Sequence, residues 1–382
     1  MKMRLAAATA VIVLGAALTA CANDSNDSDS TDSPAPSSTT PASSQSARAG
    51  TGSVWVADQE GDSLTVIDAD TNAVTTTVTG ILHPHNVQVS RDGTTVYAVT
   101  GDNRVVAIDT TNYTVGAVAP TGPAPAHVIE APNDKVYVTN ADDGTVSVYQ
   151  AAGLKPAGRI DLGGMPHGLR PAADGSVIVV ANTVAGALDL IDPATDRPTG
   201  TIPVGDQPAQ VAVSDDGRYA YAGVTDPPSV VKVDLGSRTV VGSTPVSAAP
   251  VQLYLTPDGT TVLSADQGTA DNPGDTVSVI DTAAMAVRGA VGTGSGPHGV
   301  VIDTSGTRAW VTDTYDDTVS VIDLDSLAVV ATVAVGAAPN GISYSSHPPA
   351  ASGSATVALD IPAPSPDAAG PTEQQPPHQH GH

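Results

Sequence analysis

Seven prolines recur along the 382-residue chain, at Pro84, Pro125, Pro166, Pro208, Pro250, Pro297 and Pro339, spaced by 41, 41, 42, 42, 47 and 42 residues. After each come a short apolar run ending near Asp-Gly, two alternating Val-rich runs and a Thr/Val-rich run. A unit of this length cannot bury an apolar face alone, so its copies must stack. Between Pro125 and the next marker the four runs read HVIEA from His127, KVYVTN from Lys135, TVSVY from Thr145 and PAGRIDL from Pro156. Their period of two and their β-branched content predict strands. With 37 Gly, 31 Pro and no Phe, the core is small and β-branched and the connections are tight turns.

Four strands per unit, labelled A to D from the axis outward, and seven units define an all-β fold, a seven-bladed β-propeller. The repeats open at Val54 with a B strand that lacks its A strand and close at Gly341 to Tyr344 with an A strand that lacks its B. Pairing the two completes the seventh blade, brings the count to twenty-eight strands and leaves no open edge in the ring. Asp92-Gly93, Asp174-Gly175, Asp216-Gly217 and Asp258-Gly259 mark A–B turns. Asp68, Asp109, Asp192, Asp234, Asp281 and Asp323 open C–D turns, where an aspartate can accept from the amides that follow. Trp55, Tyr97, Tyr137, Tyr221 and Trp310 share one position of strand B, which predicts packing between blades.

The run Tyr137-Val138-Thr139-Asn140, the VSVID runs at Val277 and Val319 and the PHG turns resemble the YVTN-type seven-bladed β-propellers over residues 53 to 346. The resemblance implies the same fold. It implies no single activity, because such proteins include surface proteins and binding proteins with assorted ligands. Repeat five departs with Tyr221-Ala222-Gly223-Val224, and repeat three ends its C strand in Tyr149-Gln150 where others have Asp.

Residues 1–20 read as an export signal, with Lys2 and Arg4 ahead of an apolar stretch from Leu5 to Leu18 that is short for a membrane span. Leu18-Thr19-Ala20-Cys21 resembles a bacterial lipobox, which implies acylation of Cys21, the only cysteine. Residues 21–50 are Ser, Thr, Asp and Pro with little apolar bulk, as expected of a disordered tether. The expected domains are therefore the signal (1–20), the tether (21–50), the propeller (51–346) and a Pro-rich tail (347–382) in which TVALDI from Thr356 is a candidate short strand. The location expected is outside the cytoplasm, anchored to the cell membrane through Cys21.

The candidate site lies where D–A connections meet the channel. His85, His127, His167 and His298 fall there, and B–C loops on the same face carry aspartates such as Asp58, Asp266 and Asp313. Imidazole with carboxylate suits zinc, copper or nickel. The plainer alternative is that His after Pro is a turn residue bonded to a neighbouring loop. His378, His380 and His382 alternate at the C-terminus and form a second candidate metal ligand set. The longest B–C loop, Ala265 to Asp275, has three aspartates that could hold Ca²⁺. A net charge of −25 favours metal or cationic ligands and argues against nucleic acid, as does the lack of a basic stripe. No haem-attachment, nucleophile-elbow or phosphate-loop motif is present. The reading is a non-catalytic, lipid-anchored binding propeller for a divalent metal or small cation. The alternatives are a metal-dependent hydrolase or lactonase on the same face, and a protein-interaction scaffold.

Overall fold

The computed structural model describes residues 51–350 and 353–364. The signal, Cys21, the tether and His378, His380 and His382 lie outside the described residues. The described chain forms seven sheets of sequentially paired antiparallel strands. Blade three has the four predicted strands, at Pro125–Ala131, Lys135–Asn140, Thr145–Gln150 and Lys155–Asp161. Blade one is assembled from both ends of the repeat region. Its inner strand Pro339–Ser345 pairs with Ser53–Asp58 in the register Ser53↔Ser345, Val54↔Tyr344 and Val56↔Ile342. The ring is thus closed by hydrogen bonds between residues almost three hundred positions apart.

Each letter of the YVTN run has a separate physical task. Tyr137 is fully buried and packs against Leu169 and Ile178 of the next blade, and Trp55, Trp310, Tyr97 and Tyr221 are buried in equivalent inter-blade clusters. Removing a ring of this size from water accounts for about 150–250 Å² per residue. Thr139 Oγ1 accepts from the His127 amide at 3.0 Å and donates to the His167 carbonyl at 2.5 Å, tying the inner strands of two blades together. Thr312 repeats this between Gly299 and Asn340 at 2.7 and 2.8 Å. Asn140 donates to the strand C hydroxyls of Thr145 and Ser147.

Where blades carry Asp at the last position, the hydrogen bonds reverse. Asp58 accepts from Ser63 and Thr65 at 2.8 Å and from the Gly336 amide at 3.1 Å, and Asp313 accepts from Thr318, Ser320 and the Gly294 amide. Much of the remaining acidity serves turns. Asp68, Asp109, Asp192, Asp234, Asp281 and Asp323 each accept an amide two or three residues on. In the A–B turns the glycine, at φ near +70°, takes the left-handed conformation, and the preceding aspartate caps the next amide. Where repeat three lacks its turn aspartate, a 3-10 turn at Ala152–Leu154 replaces it and buries Leu154.

Two expectations change. The stretch from Ala265 to Asp275 is not an open cation loop but a hairpin, because Thr261–Thr269 and Asn272–Asp281 stay paired almost to its tip. Asp266 is buried there and accepts from Ser247, Ser264 and Ser278, so its oxygens are committed. Beyond residue 346, Ala355–Ala358 adds a fifth strand to blade one, parallel to Ala73–Thr79. Val357, Leu359 and Ile361 pack against the neighbouring core, so part of the segment expected as a tail belongs to the propeller.

Candidate functional site

Four of the seven inner strands begin with a β-bulge rather than a turn. In blade three, Pro125 pairs with Asn140 and Val128 with Val138, so Ala126 and His127 together face the single residue Thr139. The same two-against-one arrangement occurs at His167-Gly168 and His298-Gly299. A bulge re-aims a side chain, and here it is the polar residue that turns to the channel. Glycine follows His167 and His298 because the adjacent inner strand passes so close. A β-carbon on Gly168 would overlap the Gln210 amide, and one on Gly299 would overlap the Asn340 carbonyl.

Three of these bulges, and the segment just before the inner strand Val87–Val89 that carries His85, bring four imidazoles together. His127 and His167 ring centroids are 4.9 Å apart, His85 lies 5.4 Å from His167 and 5.7 Å from His127, and His298 lies 6.4 Å from His85. One nitrogen each from His85, His127 and His167 lies within 4.8 Å of the other two. His298 does not join that group, since it enters from blade seven with blade one between it and His85. No carboxylate joins it among the described residues. The expected mixed His/Asp set therefore becomes an imidazole set, because the innermost B–C carboxylates, Asp58, Asp266 and Asp313, bond strand C hydroxyls instead.

Second contacts orient the rings. His167 Nδ1 lies 2.9 Å from the Ala209 carbonyl, which requires the proton on Nδ1 and leaves the Nε2 lone pair free. His127 Nδ1 lies 3.2 Å from the Gln210 side-chain amide. His85 Nδ1 lies 3.4 Å from the Asn340 amide, while its Nε2 is buried without a partner. Further unpartnered buried atoms in the channel are His298 Nδ1, Gln252 Oε1 and Asn340 Oδ1. Such atoms in one place indicate room for a bound species.

Burial dominates the electrostatics. It holds His85 and His127 well below the ordinary imidazole range and His167 below it, and brings His298 down to about 3. Neighbouring imidazoles push in the same direction for His85, His127 and His298. All four are neutral at pH 7, the state in which imidazole can ligate a metal. Sequence reasoning missed Gln210, Gln252 and Asn340, which occupy the matching positions of the other blades, Asn340 in a bulge and the two glutamines just before their inner strands. Their signal was the place one or two residues after a marker proline, filled by polar residues in every repeat.

Fold and site together define the class of protein, a seven-bladed β-propeller with a polar, imidazole-rich axial channel. Residues 112–226 match the family described as "YNCE-like beta-propeller". No curated protein sequence matches the chain significantly. Similar solved structures include a chain of Kuenenia stuttgartiensis hydrazine synthase, at 21% identity and TM-score 0.63 over 69% of this chain and 90% of that one. A putative 6-phosphogluconolactonase from Bacteroides uniformis matches at 16% identity and TM-score 0.65, over 78% of this chain and 100% of that one. Dihydro-heme d1 dehydrogenase NirN, in complex with DHE, matches at 15% identity and TM-score 0.60, over 81% and 78%. At such identities, and with titles so diverse, the likeness speaks for the fold alone.

Proposed function

We propose that this chain is a lipid-anchored, extracytoplasmic binding propeller that holds a transition-metal ion, zinc or copper, on His85, His127 and His167. The observation that carries the reading is the convergence of three neutral imidazole nitrogens, from three consecutive inner strands, within 4.8 Å of one another. A tetrahedral ion with bonds of about 2.0 Å needs donors roughly 3.3 Å apart, so the rings draw inward on loading. A metal-bound water at the fourth position would make the site hydrolytic, as in the lactonase-like alternative. Among the described residues no carboxylate joins the cluster to serve as a general base, which favours holding over hydrolysis. His298 shapes the channel rather than ligating. A scaffold function would use the same face without needing neutral, convergent rings. The anchor is Cys21, and the alternating His378, His380 and His382 are a separate, weaker site for the same cations.

The test uses the full-length chain with His378, His380 and His382 changed to Ala, so that only the channel can answer. Titration with Zn²⁺ and Cu²⁺ should give one site per chain, abolished by adding H85A, H127A and H167A. Affinity should hold nearly constant from pH 8 to 6.5, because the ligands' protonation lies lower. Failure of the tail-substituted chain to bind either metal stoichiometrically would overturn the metal reading and leave the scaffold.

A further inference from the structure

The same inner strands carry a second ring beneath the histidines, polar in four of its seven places. Four residues after each marker proline stand Gln88, Ile129, Arg170, Ala212, Tyr254, Val301 and Ser343. Arg170 follows His167 by three residues, which places it about 10 Å farther along the axis. Contacts across the channel show that this ring converges. Arg170 Nη1 donates to Gln88 Oε1 at 3.3 Å from two blades away, its guanidinium carbon lies 5.8 Å from the Tyr254 ring centroid, and Gln88 donates to Ser343 Oγ at 3.4 Å.

The contact with Gln88 is the only side-chain hydrogen bond of Arg170 among the described residues, and no carboxylate lies within 4 Å of it there. Burial lowers its pKa, yet a guanidinium keeps its charge at neutral pH. Arg170 is half-buried, and a partly desolvated cation without a counter-charge is stabilised when an anion pairs with it. Arg170 opens on a cavity of about 360 Å³ at the A–B turn face, opposite the histidines. Its lining includes Tyr254, Leu253, Ile302 and Val213, with Asp215 and Asp303 also present.

We infer that this lower mouth of the channel binds a small organic monocarboxylate, its carboxylate on Arg170 and its apolar body against Tyr254 and Val213. The guanidinium fork matches a carboxylate in two parallel hydrogen bonds, and the volume suits a ligand of fragment size. Asp215 and Asp303 bias the cavity against dianions such as phosphate, so a single negative charge with an apolar body fits best. The inference is independent of the metal reading.

The probes are benzoate, acetate and inorganic phosphate, titrated calorimetrically into the full-length protein at low salt. Benzoate should bind at one saturable site, at least tenfold more tightly than acetate or phosphate. R170M should weaken benzoate tenfold or more while melting no lower than wild type, since it removes a half-buried cation that has no counter-charge. R170K, which keeps the charge and loses the fork, should fall between them. The triple variant H85A/H127A/H167A should bind benzoate as wild type does. No saturable benzoate binding, equal binding by R170M, or tighter binding of phosphate would overturn the inference. A marked drop in R170M stability would assign the guanidinium a structural role and overturn it as well.

Discussion

At the residue scale, the last letter of the motif is a choice between Asp, which titrates, and Asn, which does not, with equivalent strand C hydroxyls as partners. Burial raises the Asp58 and Asp313 carboxyls to about 6, against the hydrogen bonds from Ser and Thr that lower them. A carboxyl whose folded pKa lies above its unfolded one contributes stability below pH 4, and that contribution is lost as pH rises through 6. Each shift is about two units, which corresponds to roughly 2–3 kcal/mol. D58N and D313N adopt the arrangement Asn140 already shows, with the side-chain amide donating to strand C hydroxyls. The expected outcome is that each variant gains stability over wild type on going from pH 4 to pH 7.5, by roughly 2 kcal/mol in urea unfolding at the two pH values. A difference that does not change with pH would contradict the account.

At the element scale, much was legible in the sequence and some was not. Strand count, turn chemistry and the burial of Trp55 and Tyr137 follow from period and position, which are local properties. The bulge at Pro-His-Gly is a matter of register, two residues against one on the partner strand, and nothing local to the run distinguishes it from a turn. Choosing His85, His127 and His167 over His298 required knowing how the ring brings blades together. The commitment of Asp266 to Ser247 and Ser278 likewise depends on a strand twelve residues away and on a separate loop. The fifth strand was only hinted at by the TVALDI run, since its partner Ala73–Thr79 lies nearly three hundred residues earlier. Deleting residues 353–364 should cost about 1–2 kcal/mol, because its apolar side chains are only half-buried. Urea unfolding measures this; a cost of zero would mean the strand merely rests on the edge.

At the scale of the whole molecule, closure explains both stability and site. Because blade one is hydrogen-bonded from both ends, every inner strand is held against two neighbours, and Thr139 and Thr312 tie adjacent inner strands across the blade boundary. A rigid ring lets seven separate repeats present side chains to one axis, where burial keeps imidazoles neutral and convergent. The most direct measurement is imidazole ¹⁵N NMR of the full-length chain with His378, His380 and His382 changed to Ala, before and after one equivalent of Zn²⁺. The account predicts coordination shifts at one nitrogen each of His85, His127 and His167, with the His167 proton staying on Nδ1 and His298 unshifted. Shifts at His298 in place of any of the three, or none at all, would contradict it.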